Sequence, residues 1–187
     1  MVATINGREL ITYTDLLWQL ALEPETPLES PRPEDLTRAL NLLIDQRLIA
    51  LEAEKLPGIA TTDAGVQDAT NELVRRFPSQ EAFYRRIARV GLTGDQLREI
   101  VRRRVAIENY LNFRFRSFVV VSPQEVADYY RDVFVPRHRR QTPGLIVPTL
   151  EAATPRITQQ LEEDKIESDT STFLEDARTR AEIVILY

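Results

Sequence analysis

Apolar positions along the chain change their period, and the changes mark out the elements. "VATI" and "ELI" are short β-prone runs on either side of Asn6-Gly7, the dipeptide preferred in a type I′ hairpin because both central positions need positive φ. This predicts strands over 2–5 and 9–11, followed by a short helix over "TDLLWQLALE" with Thr14 as its N-cap. "PETPLESPRPED" is a proline-rich connection. From Pro33 to about Phe134 the period is helical: Leu36, Leu40, Leu43, Ile44 and Leu51 share a face, and Pro33 suits a first helical position. That helix should end near "KLPGIA", with "TTDAG" supplying new N-caps and Gly91 closing the amphipathic "PSQEAFYRRIARVG". The longest candidate is "LTGDQLREIVRRRVAIENYLNFRFRSFVV", with Leu97, Val101, Val105, Leu111, Phe115 and Phe118 on one side and arginines opposite. Ser122, Pro123 and Glu125 then form a capping-box signature.

"VPRHRRQTPGLIVPT" reads as linker by composition. A last helix is expected from about Leu150 to Arg180, with a break or bend in its polar middle, "EEDKIESDTST". Ile183, Val184, Ile185, Leu186 and Tyr187 make a bare β-prone run of the kind that aggregates if unpaired. Its economical partner is the N-terminal hairpin. The expected fold is mainly α, closed by a small sheet made from that hairpin and the final strand. Sharing one sheet places both ends in a single domain over 1–187: hairpin and helices over 1–135, a linker over 136–148, and a return helix and strand over 149–187.

Composition narrows the chemistry. The 187 residues are 43% apolar and 28% charged, ordinary for a folded chain. No window approaches 18 uninterrupted apolar residues, so no membrane span is expected. The absence of cysteine removes disulfides and thiolate chemistry. His138 is the only histidine; without a nearby carboxylate or nucleophile partner in sequence it reads as a surface residue and not as a catalytic one. With no metal-ligand cluster and no glycine-rich phosphate loop, no metal and no cofactor is expected. Charge is lopsided, with eleven arginines against four acids from Arg75 to Arg116 and nine acids against four bases from Glu151 to Glu182. Such blocks are ordinarily solvated faces or complement each other within a fold. "REIVRRRVAIENYLNFRFR" has the ingredients of a nucleic-acid surface. The net charge of −5 and the place of Phe113, Phe115 and Phe118 in a helical apolar stripe favour core packing instead.

The stretches "VATINGRELITYTDL", "ALNLLIDQRLIALEAEKLPGIATTD", "FYRRIARVGLTGDQLREIVRRRVAIENYL", "VVVSPQEVADYYRD" and "FLEDARTRAEIVILY", in that order and with strands at both ends, resemble the chaperone domain of the SurA family of periplasmic parvulin-linked chaperones. The resemblance covers nearly the whole chain apart from the two proline-rich connections. Family members carry parvulin-type prolyl isomerase domains between the "VSPQEVADYY" helix and the return helix. Here only twelve residues separate Val135 from Pro148, whereas a domain with its own core needs on the order of 40 to 60. The isomerase is therefore expected to be absent, and the chain not to be an enzyme.

What the resemblance implies is a holdase for secreted or outer-membrane proteins in transit, working in the periplasm or otherwise outside the cytoplasm after removal of a signal peptide. Such a protein needs exposed apolar surface with charge around it. Trp18, Phe83, Tyr84, Tyr110, Phe113, Tyr129, Tyr130 and Phe134 are the candidate client-binding residues, because aromatics that are part greasy and part polar suit recognition surfaces. The expected partners are unfolded polypeptides, with neither nucleic acid nor membrane insertion. Two other readings stand beside this one. One is an assembly module that buries the same aromatics against a fixed partner or in a homodimer, including a strand-exchanged one. The other is a degenerate isomerase that has lost its catalytic domain.

Overall fold

The computed structural model describes residues 2–56 and 61–186. Pro57 to Ala60, at the expected end of the second helix, and Tyr187 of the terminal run lie outside the described residues. The chain forms two compact units, the first from 2–110 with 174–186 and the second from 111–173.

The first unit begins with β1 (Ala3–Ile5) and β2 (Glu9–Ile11), joined as expected through Asn6 and Gly7, both at positive φ (52° and 63°). Arg8 N–H closes the turn on Ile5 O at 3.1 Å. The sheet has a third strand, β3 (Ile183–Ile185), so β1 is central and antiparallel to both neighbours, with Ala3 opposite Ile11 and Ile185. The protein is thus mainly helical, with a small sheet drawn from both ends of the chain. The inner face of the sheet carries Ala3, Ile5 and Ile11, which are fully buried against Leu16, Leu20, Leu40, Ile44, Leu48 and Ala177. The terminal run docks through its backbone more than its side chains, since Val184, Ile185 and Leu186 stay exposed.

Helix α1 (Tyr13–Ala21) starts one turn position earlier than the sequence suggested. Thr12, not Thr14, is the N-cap, in a capping box with Asp15 whose carboxylate accepts from the Thr12 N–H at 2.8 Å. The remaining helices follow their signals. Pro33 opens α2 (Pro33–Ala53), Thr62 caps α3 (Asp63–Arg75), and Ser79 caps α4 (Gln80–Arg89). Gly91 ends α4 at φ 68°, and Thr93 and Gln96 bond reciprocally at the start of α5 (Gly94–Arg114). A second core gathers Ala21, Val66, Leu73, Phe77, Phe83, Ile87, Leu97 and Val101.

One arginine holds the proline-rich connection between α1 and α2. Arg86 of α4 donates to the carbonyls of Leu20 (3.0 Å), Ala21 (2.9 Å), Glu23 (2.7 Å) and Thr26 (2.5 Å). Leu20 and Ala21 are in the last turn of α1, where carbonyls lack helical partners, and Glu23 and Thr26 belong to the connection that follows. A side-chain chain runs on from there. Arg104 donates to Gln19, Gln19 to Glu23, and Arg38 to both Glu23 and Asp35, which Arg32 also clasps. Burial alone would raise the Glu23 carboxyl, but hydrogen bonds from Gln19, Arg38 and Thr26 outweigh it and leave it below its ordinary value. Asp35, 1% exposed at the start of α2, is lowered by hydrogen bonds from Arg32 and Arg38.

In the second unit, α5 gives way to a 3-10 turn over Arg116–Phe118, and Ser122 caps α6 (Pro123–Tyr129) in the expected box with Glu125. Helical structure then continues where linker was expected, through a π-helical turn (Tyr130–Phe134) into α7 (Val135–Gln141). The reason is local. Proline lacks the N–H of a helix interior and crowds the turn before it. The π turn, with Val135 N–H bonded to Tyr130 O, inserts the slack that lets Pro136 sit in the first turn of α7. The linker that remains is the stretch after Gln141. Helix α8 (Leu150–Arg180) is unbroken through its polar middle. Pairs one turn apart, Gln159 to Glu163 and Gln160 to Asp164, support it there. The core of this unit is small: Val126, Ala153 and Ile157 with Val121, Tyr129, Tyr130, Phe134 and Leu161 around them.

Two predictions follow from these networks. Arg86→Met removes a charged donor from four carbonyls, of which Leu20 O and Glu23 O keep a backbone donor, and should cost about 3 kcal/mol of stability, read as a lower urea midpoint; Arg86→Lys should recover part of it. The Glu125 carboxylate takes hydrogen bonds from Lys165 (2.7 Å) and from the N–H and hydroxyl of Ser122 (both 2.8 Å). The Lys165 bond leads the effects that hold its pKa at about 2, below the ordinary 4.5. A lowered carboxylate stabilises the folded state above its unfolded pKa and loses that contribution as pH falls through the folded one. Amide exchange over 123–141 should therefore quicken in the wild type between pH 4.5 and pH 2, after correction for the intrinsic rate. Glu125→Gln should already be quick at neutral pH and show no such step.

Candidate functional site

Helices α2 and α5 carry two facing stripes. On α2, Leu43, Gln46, Arg47, Ala50, Ala53 and Glu54 recur at helical spacing, and on α5, Gln96, Glu99, Ile100, Arg103 and Ala106 do the same. With Asp15, Trp18, Gln19 and Leu22 from α1 and its C-cap, they line two cavities of about 210 and 410 Å³ that share Glu99 and Arg103. The two adjoin as one groove within the first unit. It is not filled from its walls because Ala50, Ala53 and Ala106 are small. From Leu43 to Glu54 the α2 wall runs about 17 Å at 1.5 Å per residue, the length of about five residues of extended chain.

The walls alternate apolar and charged groups. Trp18 is fixed by its indole N–H, which donates to Val90 O at 3.0 Å. Leu22, Leu43 and Ile100 continue the apolar surface beside it. Arg102 is neutralised by Asp63 at 2.7 Å and Glu99 at 3.7 Å. Arg47 and Arg103 are different. Arg47 is mostly buried, and its one ion pair among the described residues is a loose one with Glu9 at 3.7 Å. Arg103 has no hydrogen bond or ion pair among the described residues. Burial, and then the nearby Arg103, push the Arg47 guanidinium below its ordinary pKa. Asp15, Glu54 and Glu99 also line the groove, and Glu9 and Asp15 offset part of the Arg47 charge, but neither Arg47 nor Arg103 is closely paired among the described residues, which leaves both open to a carboxylate brought by a bound chain.

Of the eight aromatics singled out in the sequence, Trp18, Phe83, Tyr84 and Tyr110 belong to the first unit and Phe113, Tyr129, Tyr130 and Phe134 to the second. Only Trp18 lines the groove. Phe83 (0% exposed) and Tyr110 (2%) are core residues and present no surface to a client. Phe83 packs edge-on against Phe77 at 5.0 Å, the outcome expected for a large ring on the buried face of α4. Tyr84 is exposed on the opposite side of that helix and touches Phe83 at 5.2 Å.

In the second unit Phe113 and Phe118, read from the stripe as core, are 50% and 70% exposed and pair edge-to-face at 6.2 Å. The helix ends at Arg114, so the face that would have buried them is not continued. Phe115 does pack, against Phe173 at 5.7 Å beneath the guanidinium of Arg114. Tyr130, Phe134 and His138 form a stack along one helical face, with centroids 5.7 and 5.9 Å apart. The Tyr130 hydroxyl donates to Pro148 O at 2.8 Å. These rings are partly buried and serve first to pack α6 and α7 on α8. Leu145 and Ile146 are the most exposed apolar pair nearby.

Sequence reasoning missed Arg47, Ala50 and Ala106. The available signal was a mismatch: Arg47 interrupts the apolar face between Ile44 and Leu48, and alanines sit where a core would want larger side chains. Among the described residues no group of three or more His, Cys, Asp or Glu could hold a metal ion, and no helix is long and apolar enough to cross a membrane.

If Arg103 repels Arg47 across the groove, Arg103→Gln should raise stability by about 0.5 kcal/mol, seen as a higher thermal midpoint. Added salt should give the wild type part of the same gain through screening. A lower midpoint would contradict the repulsion. No protein-family model matches the chain, and no curated protein sequence matches it.

Proposed function

We propose that this protein is a non-catalytic polypeptide-binding chaperone domain, a holdase of the kind implied by its resemblance to the SurA family, and that the α2–α5 groove holds its clients. The observation that carries this reading is the groove itself: two helical stripes that mix small, apolar and polar residues, about five extended residues long, with two guanidiniums in the wall that no close ion pair holds among the described residues. An extended chain lying there would bury its side chains against Trp18, Leu43 and Ile100. Binding of that sort lowers the concentration of free unfolded chain by mass action and needs no reacting group. Shallow contact and a length of a few residues keep each encounter weak, which suits a binder that must accept many sequences and release them. The same reading places the work outside the cytoplasm, on secreted or outer-membrane proteins in transit. It also assigns the twelve residues between Val135 and Pro148 no isomerase.

The exposed Phe113–Phe118 pair, with Val120 beside it in sequence, favours a second reading in which the protein is an assembly module joined through its second unit. One experiment separates the two. Aggregation of a chemically unfolded model protein is followed by turbidity with and without this protein, and the oligomeric state is measured by light scattering on the same sample. Suppression by a monomer at near-stoichiometric amounts is expected. Ala50→Gln with Ala106→Gln fills the groove without lowering helix propensity much and should abolish most of that suppression while leaving the thermal midpoint within a few degrees. Equal protection by the filled variant would rule out the groove. Absence of protection from a tight dimer would leave the assembly module.

A further inference from the structure

Apart from the groove, the second unit carries a small polar cavity with unusual chemistry. It has a volume of about 100 Å³ and is lined by Tyr129, Arg137, His138, Gln141, Arg156 and Gln160, with Phe134 and Ile157 as its apolar wall. Helix α7 brings Arg137, His138 and Gln141 to it and α8 brings Arg156 and Gln160, so two consecutive helices converge on it. Arg137 and Arg156 make no ion pair or hydrogen bond with any described residue. Nor does a carboxylate line the cavity, although α8 is rich in acids a turn or two further on. His138 Nε2 is buried and has no hydrogen-bond partner among the described residues.

The imidazole is also held in place. It stacks on Phe134 at 5.9 Å, and the His138 carbonyl accepts from the N–H and hydroxyl of Thr142 at 2.9 and 2.7 Å. A buried polar nitrogen without a partner costs free energy comparable to a lost hydrogen bond, and it lies beside two guanidiniums and two side-chain amides. All of these can donate, and what the cavity lacks is an acceptor with negative charge.

We propose that this cavity is an oxyanion-binding site, taking a carboxylate or phosphate group between Arg137 and Arg156 with His138 and the two glutamines as further donors. Size supports a small group. The cavity exceeds the ~10–15 Å³ that one water requires and is well below the ~300 Å³ at which organic-ligand pockets begin. It therefore admits a charged headgroup but not a base or sugar. Planar guanidiniums match the geometry of both oxyanions. Two sources share this chemistry, an anion free in solution and the carboxylate of a polypeptide, as an acidic side chain or chain end.

Because His138 is the only histidine, its ring C–H resonances report on the site without assignment of the rest. Untagged full-length protein is titrated at fixed pH and ionic strength with inorganic phosphate, with acetate, and with a short peptide bearing either a free or an amidated C-terminus. Sodium chloride serves as the control. A saturable shift of the His138 resonances with phosphate or acetate, absent with chloride, is expected. In Arg137→Gln with Arg156→Gln, both exposed positions, apparent affinity should fall by roughly tenfold or more. Arg156→Lys should bind with intermediate affinity. Tighter binding of the free-acid peptide than of acetate, lost on amidation, assigns the natural source to a polypeptide; equal binding assigns it to a free small anion. Shifts that are linear, equal in chloride, or unchanged in the double variant would overturn the site.

Discussion

The structure depends on one strand being used twice. β1 has only three residues, yet it pairs with β2 on one edge and with β3 on the other. Asn6 N–H donates to Glu182 O at 2.8 Å, Leu186 N–H to Val2 O at 2.9 Å, and Glu182 N–H to the Asn6 side chain at 2.9 Å. Three strands of this length would be marginal by themselves. They persist because Ala3, Ile5 and Ile11 complete the core under α1 and α2, and that core in turn needs Ala177 from α8. The chain must therefore leave the first unit along α5 and come back along α8. The second unit is an excursion bounded by that return.

Within the first unit, charge is used in two opposite ways. Around the connection between α1 and α2, every buried carboxylate is matched: Asp35 by Arg32 and Arg38, Glu23 by Arg38 and two neutral donors. Arg86 spends its charge on backbone carbonyls, where proline-rich chain could not form a ladder. The packed α1 that results fixes Trp18 and Leu22 at the rim of the groove. Across the groove the same residue type is held more loosely: Arg47 and Arg103 share the walls with Asp15, Glu54 and Glu99 but form no close ion pair among the described residues. A protein that pairs its arginines so thoroughly a few residues away has a rigid frame around an electrostatically incomplete surface. That combination is what a binding surface requires, because the frame bears the cost of holding the groups in place.

The second unit repeats the contrast on a smaller core. Glu125 is fully matched by Lys165 and Ser122 at one end of α6, while Arg137, Arg156 and His138 are unmatched at the other side of the aromatic stack. The π turn links these features. By absorbing Pro136 it prolongs the helix, and the prolonged helix is what carries His138 and Arg137 to α8.

The sequence by itself determined the helical class, the Asn6-Gly7 hairpin, the cap at Ser122, the helix start at Pro33, and the pairing of the two ends, because each depends on local dihedral preference or on an unpaired β-prone run. It misjudged features decided by continuity. Whether Pro136 ended a helix depended on a π turn, and whether α8 broke depended on pairs such as Gln159 with Glu163. Which aromatics were surface could not be read from type or period. Phe83 and Tyr110 lie in cores, whereas Phe113 and Phe118 stand out because α5 stops at Arg114. The groove and the small basic cavity were least legible of all. They are made by residues from different helices that fail to fill or neutralise the space between them, and only the tertiary arrangement brings those residues together.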